Sequence, residues 1–191
     1  LIINFLTDKI ITGIITLGSL FYSTINGVNA EFDPIEFFPK SSSLTVSTKL
    51  INCFTPEFEQ IILAGQPVRF YYTFQIVNPG SKKVAYEKNI YHQIQYFHLD
   101  KQFTVYTSEN QVVYKTESFE RAKEHLTSLE QIDACTLDDI KKHVEYKLKV
   151  SAHLEKIFIQ SINKEINLMF YWNSIKPEIE SSIFTHKIIT R

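Results

Sequence analysis

Six histidines and twenty-one carboxylates are the groups from which metal or acid–base chemistry could be built here, so their spacing decides what is available. His143 and His153 fall on the outer face of one alternating stretch, ten residues apart. At about 3.3 Å per residue that is about 33 Å, too far for one ion to bridge. His92 and His98 also share a face, but six residues of strand separate them by about 20 Å. No H-x-x-x-H or C-x-x-C spacing supplies a ligand set, so no metal and no other cofactor is expected. Of the acid pairs, Glu57 and Glu59 sit at a helix start, where acids are expected electrostatically, and Asp138-Asp139 sits in a polar connection. There is no G-x-S-x-G, no Gly-rich phosphate loop and no H-E-x-x-H. No catalytic residue is named on this basis. A hydrolase with dispersed residues stays open, because the members of a triad are neighbours only in space.

His92 is the histidine with the sharpest placement. It lies between Ile90 and Ile94 on the face assigned to the core, where an unpaired polar group is costly. Two readings follow: a neutral imidazole hydrogen-bonded inside or at the sheet's edge, or a polar group projecting into a pocket lined by Tyr72, Tyr86 and Tyr96. The two cysteines, Cys53 and Cys135, permit one disulfide in an exported protein, or else are two small buried side chains.

The elements that must position these residues are read from periodicity. In Gln66–Val77, Val68, Phe70, Tyr72, Phe74 and Ile76 point one way and Arg69, Tyr71, Thr73 and Gln75 the other, a strand with one buried face. Burying the first set contributes on the order of 10 kcal/mol, an upper bound because the unfolded chain is already partly collapsed. Leu44–Ile51 alternates as an earlier strand, and Val84–Phe97 pairs antiparallel with Val68–Val77 across an Asn78-Pro79-Gly80-Ser81 turn. Phe103–Tyr106 and Val112–Tyr114 form a further hairpin, and Val144–Leu154 alternates most cleanly of all. Thr55-Pro56-Glu57 opens a helix that Gly65 and Pro67 close. Ser118 caps a second, with Phe119, Ala122, Leu126 and Leu129 at helical spacing. Glu130–Lys142 reads as a polar connection with room for a helical turn. Beyond Glu155, Phe158, Ile159, Ile162 and Ile166 suit a helix and Leu168–Trp172 a strand, and periodicity does not separate the two. The fold class expected is α+β: an antiparallel β-sheet of about six strands with two short helices packed on it.

Composition sets the outer limits. The chain has 191 residues, 44% hydrophobic, 21% charged and 14% aromatic, with a net charge of −1. That is a globular balance leaning towards β structure. With no basic excess, nucleic acid is not an expected partner. Residues 1–30 read as a secretory signal peptide: Lys9, an apolar run over Ile10–Ile25, and small residues ending at Ala30. The alternative is an uncleaved N-terminal anchor, which would be the chain's one contact with the membrane, although about sixteen apolar residues fall short of a span. The organisation expected is thus a leader over 1–30, a connecting segment over 31–43, an α+β domain over 44–155 and a C-terminal extension over 156–191.

The order of these pieces resembles an uncharacterised family of exported bacterial proteins, a domain of unknown function found in proteobacteria and some spirochaetes. The resemblance rests on Ala64-Gly65-Gln66-Pro67-Val68 before the first apolar strand and the tyrosine-rich Tyr91–Tyr106 hairpin. It also rests on the Phe119, Ala122, Leu126 helix and the strand carrying Tyr146, Leu148, Val150, Ala152 and Leu154. It covers about residues 44–155, and residues 156–191 do not match the family's usual proline-containing ending. The resemblance implies architecture and export and names no site. The function expected is that of a non-enzymatic exported protein, periplasmic or envelope-associated. It would contact another envelope or membrane protein by strand addition or through an aromatic surface. The alternative is a carrier holding a small apolar ligand between sheet and helices.

Overall fold

A computed structural model describes residues 27–40, 42–159 and 163–188. All but the last four residues of the expected leader lie outside the described residues. In chain order the strands and helices are β1 (Glu31–Phe32), β2 (Glu36–Pro39), β3 (Ser43–Ile51), α1 (Pro56–Leu63), β4 (Val68–Val77), β5 (Val84–Phe97), β6 (Gln102–Thr107) and β7 (Val112–Thr116). There follow α2 (Phe119–Thr127), β8 (Ser128–Thr136), β9 (Glu145–Leu154), β10 (Lys156–Ile159), β11 (Lys164–Asn167), β12 (Glu178–Glu180) and β13 (Phe184–Thr185).

The expected alternation holds along β4, whose five inward residues are buried and whose outward ones are half-buried. β4 is the middle of an antiparallel sheet of order β12-β9-β4-β5-β6-β7, with β13 also on β9. Its register sets Tyr72 between Ile90 and Ala152, and Phe74 opposite Val150, so the inner faces of three strands form one apolar surface. That surface is covered by α1, α2 and a second sheet in which β3 pairs with β8 on one side and with β1 and β2 on the other. The α+β class with two helices on an antiparallel sheet is what the structure shows.

Both helices start where the sequence places them. The Thr55 hydroxyl accepts from the Phe58 N–H at 3.1 Å and the Ser118 hydroxyl from the Arg121 N–H at 3.3 Å. α1 stops at Gly65, whose φ of 82° favours glycine and whose missing Cβ would lie 3.2 Å from the Tyr96 carbonyl.

Three readings are corrected. The polar connection over Glu130–Lys142 is mostly the strand β8, followed by a 3-10 turn at Leu137–Asp139. α2 ends at Thr127, so Leu129 belongs to β8 and not to the helix. Leu168–Trp172 is a 3-10 turn, while β10 and β11 form the hairpin before it in place of a helix. This C-terminal region completes the core. Trp172 and Tyr171 are fully buried or nearly so, Tyr171 stacks on Phe58 at 5.3 Å, and the Trp172 indole N–H donates to the Cys53 carbonyl at 2.9 Å.

Candidate functional site

His92 is 1% exposed, on the inner face of β5 as its position between Ile90 and Ile94 implies. Its Nδ1 lies 2.8 Å from the Leu126 carbonyl, which also accepts the Tyr72 hydroxyl at 2.9 Å. Leu126 sits in the last turn of α2, where carbonyls lack partners inside the helix, so two side chains from the sheet supply them. The Tyr72 and His92 rings meet edge to face at 5.2 Å.

The other imidazole nitrogen, Nε2, lies 3.2 Å from Glu109 Oε1. Glu109 stands in the turn between β6 and β7. There the Asn110 carboxamide oxygen accepts from the Thr107 hydroxyl and the Val112 N–H, holding the turn in place. Its side chain is 12% exposed, and its Oε2 has no hydrogen-bond partner among the described residues. A carbonyl only accepts, so Nδ1 carries a proton, and the Nε2–Oε1 contact then needs one further proton between the two atoms. Burial pushes the Glu109 carboxyl up. The hydrogen bond and attraction of His92, with a backbone hydrogen bond and Lys88, together more than offset this and hold it below the ordinary carboxylate range.

The four residues read as one pocket do not line one. Tyr86 is half-buried opposite Ile76, six residues and about 20 Å along the strand from His92. Tyr96 packs on Phe103 at 4.6 Å and against His98 at 5.0 Å. His92 and Tyr72 are brought together, but in a filled interior where both ring nitrogens are occupied, which is the first of the two readings of His92. Glu109 was legible only as the tip of a hairpin.

The disulfide reading is also corrected: Cys53 and Cys135 are both free and buried. Cys135 pairs with Leu44 at the start of β3, and Cys53 lies just past the other end of that strand. The strand between them spans about 25 Å, whereas bonded cysteines need Cα atoms within about 7 Å. Burial pushes each thiol up to about 12.

The outward face of the same sheet carries a second group of aromatic rings. Tyr71 stands directly opposite Tyr91 on one side and His153 on the other. Ring centroids run His153–Tyr71 at 4.9 Å, Tyr71–Tyr91 at 5.9 Å and Tyr91–Tyr106 at 5.6 Å, one continuous row across β9, β4, β5 and β6. Each of the four residues is half-buried. Arg69 lies over Tyr91 at 5.4 Å, donates from Nε to Gln93 at 2.7 Å and reaches Glu155 at 3.5 Å. Burial and the nearby Lys176 hold the His153 imidazole below its ordinary value against the pull of Glu155. A neutral ring stacks on tyrosine without desolvating a charge. Next to the row is a cleft of about 210 Å³ bounded by Arg69, Gln93, Glu155 and Phe158, the last 56% exposed. The signal for this surface was present in the outward half of the alternation, Tyr71 and Tyr91 above all. Among the described residues no group of three His, Cys, Asp or Glu side chains is placed to hold a metal.

No curated protein and no solved structure matches the chain. A family model described as a domain of unknown function, DUF4390, matches residues 28–157, which takes in β1 to β9, both helices and the aromatic row. That match spans more than half of the chain, and the protein therefore belongs to the DUF4390 family, whose function is unknown.

Proposed function

We propose that the protein is a non-enzymatic binding module, exported to the cell envelope, that docks another envelope or membrane protein on the outward face of its large sheet. The observation that carries this is the row of His153, Tyr71, Tyr91 and Tyr106 with Arg69 over it. Tyrosine and arginine are the residues most enriched in energetic centres of protein interfaces, since they bury large area with few rotors to freeze. The row is held in register by four strands, so little ordering remains to be done on binding. The space a carried apolar ligand would need, between sheet and helices, is taken by Phe58, Phe70, Tyr171 and Trp172, which favours docking over carriage. Export is supported by the composition of residues 1–30.

The test is site-specific photo-crosslinking in cell envelopes, with benzoylphenylalanine at Tyr106 on the row and at Leu99, a fully turned-out residue 88% exposed. One defined partner should appear from position 106 and none from 99, and Tyr71→Ser with Tyr91→Ser should weaken its capture at least tenfold. Bare monomer from both positions counts against the proposal.

A further inference from the structure

The large sheet ends at β7, and the direction of that strand's main-chain groups follows from the ladder. In an antiparallel ladder successive residues turn their N–H and C=O to opposite neighbours. The Ser108 N–H donates to the Tyr91 carbonyl at 3.0 Å, so Tyr91 turns to β6 and Ser108 to β5. By alternation Thr107, Val105 and Phe103 turn to β7, and their partners Val112, Tyr114 and Thr116 turn back to β6. The N–H and C=O of Val113 and Lys115 therefore point to the open side, where no described strand follows. The same alternation carried across β4 and β9 requires Arg69 to face β9 and Ala152 to face away from β4. Both hold: the Glu155 N–H donates to the Arg69 carbonyl at 3.4 Å and the Ala152 N–H to the Pro177 carbonyl at 3.1 Å.

This edge is the less guarded of the two. At the other end β9 is covered by β12 and β13, three and two residues long. β7 runs for five, with Val113 53% exposed and Val112 37%. Val113 stands beside Tyr106 and Lys115 beside Thr104, so both lie on the outward face and Val113 ends the aromatic row. An open edge with unpaired main-chain groups and an apolar side chain beside them is a template for another strand.

Charge decides what kind of strand fits. Among the described residues no ion pair engages Lys115 or Arg121, and both are exposed. Arg121 lies one turn before His125, whose ring stacks on Tyr114 at 4.1 Å, which puts it on the side of α2 next to β7. Of the acids between residues 112 and 127, Glu120 is bound to Lys123 and Glu124 to Lys49, and Glu117 alone is left to set against the two cations. A second copy of this chain fits poorly. The two-fold register that pairs every free group of Val113 and Lys115 centres on Tyr114 and sets Val113 opposite Lys115. The two Lys115 side chains then stand diagonally, about 7–8 Å apart, with no carboxylate between them. We propose that β7 receives a strand from the docked partner, an extended segment with an apolar residue opposite Val113 and a carboxylate opposite Lys115. This rests on the docking reading and names how the partner is held.

The test is amide hydrogen exchange followed by NMR on the isotope-labelled full chain. In the free protein Val113 and Lys115 should exchange fast while Val112, Tyr114 and Thr116 are protected. The probe is the capped peptide Ser-Thr-Glu-Thr-Val-Thr-Ser at millimolar concentration, whose antiparallel pairing sets its Glu opposite Lys115 and its Val opposite Val113. Saturable binding that protects those two amides is expected. Lys115→Gln should weaken it about fivefold, the value of one charge at contact distance in water, and an analogue with Lys in place of Glu should bind more weakly still. Val113→Pro removes an outward N–H and no ladder bond, so core signals should stay dispersed while peptide binding is lost. Slow exchange of Val113 or Lys115 in the free monomer, a dimer that protects them, no protection by the peptide, or equal binding of the lysine analogue overturns the proposal. Crosslinking from position 106 that survives Val113→Pro removes strand addition and leaves the docking reading standing.

Discussion

The buried contact between His92 and Glu109 makes a prediction whose size follows from the geometry. In His92→Phe the Leu126 carbonyl keeps the Tyr72 hydroxyl and is not orphaned. Glu109 fares worse, because its Oε2 already has no partner and its Oε1 loses the imidazole. A buried carboxylate left without its partner costs about 3–5 kcal/mol, most of it the charge left behind. Taking both groups away, in His92→Phe with Glu109→Leu, leaves no such charge and should return stability close to that of the wild type. The singles and the double therefore form a cycle with a large coupling, opposite to what additive losses would give. Urea unfolding of the four proteins near neutral pH measures it. The folded Glu109 carboxyl lies below its ordinary value of 4.5, so its contribution is present above that pH and fades as the pH falls through the folded value. The gap between wild type and Glu109→Gln should accordingly narrow from about pH 7 to about pH 3. A His92→Phe protein within about 0.5 kcal/mol of wild type, or a double variant costing the sum of the singles, refutes the reasoning.

Two further outcomes are expected. Trp172→Ala should destabilise by about 3–5 kcal/mol, read as a shift in the denaturation midpoint with unchanged slope. It removes a fully buried ring and the donor to the Cys53 carbonyl, and it would show that a residue beyond the family match belongs to the core. Cys53 and Cys135, free, buried and with thiols pushed up to about 12, should resist an aromatic disulfide reagent in the native protein and both react in urea. Reductant should leave the unfolding midpoint where it was. A midpoint that drops on reduction would mean that the cysteines are bonded after all.

Much of the large sheet was readable residue by residue because its central strands bury one face against a single apolar layer. β4 and β9 show this, alternating without interruption over most of their length. β8 was not readable, for a physical reason. It joins β3 with register shifts at Leu44/Thr45 and Val46/Thr48, which break the period of two that identifies a strand, and its outward residues are polar. In the turn at Leu168–Trp172 all five residues are apolar or aromatic, the exposed Phe170 included, so no polar face alternates with an apolar one and no period exists to find.

What the sequence determined alone was local: which side chains turn inward along a strand, where Thr55 and Ser118 start helices, and that His92 needs partners. Which partners it has was decided by tertiary structure. The Leu126 carbonyl is 34 residues away and Glu109 is 17, and nothing in their neighbourhoods along the chain marks them. The same holds for the tyrosine row. It is completed by the register of β9 against β4, strands distant in sequence, and register is a property of the packed sheet, absent from any one segment.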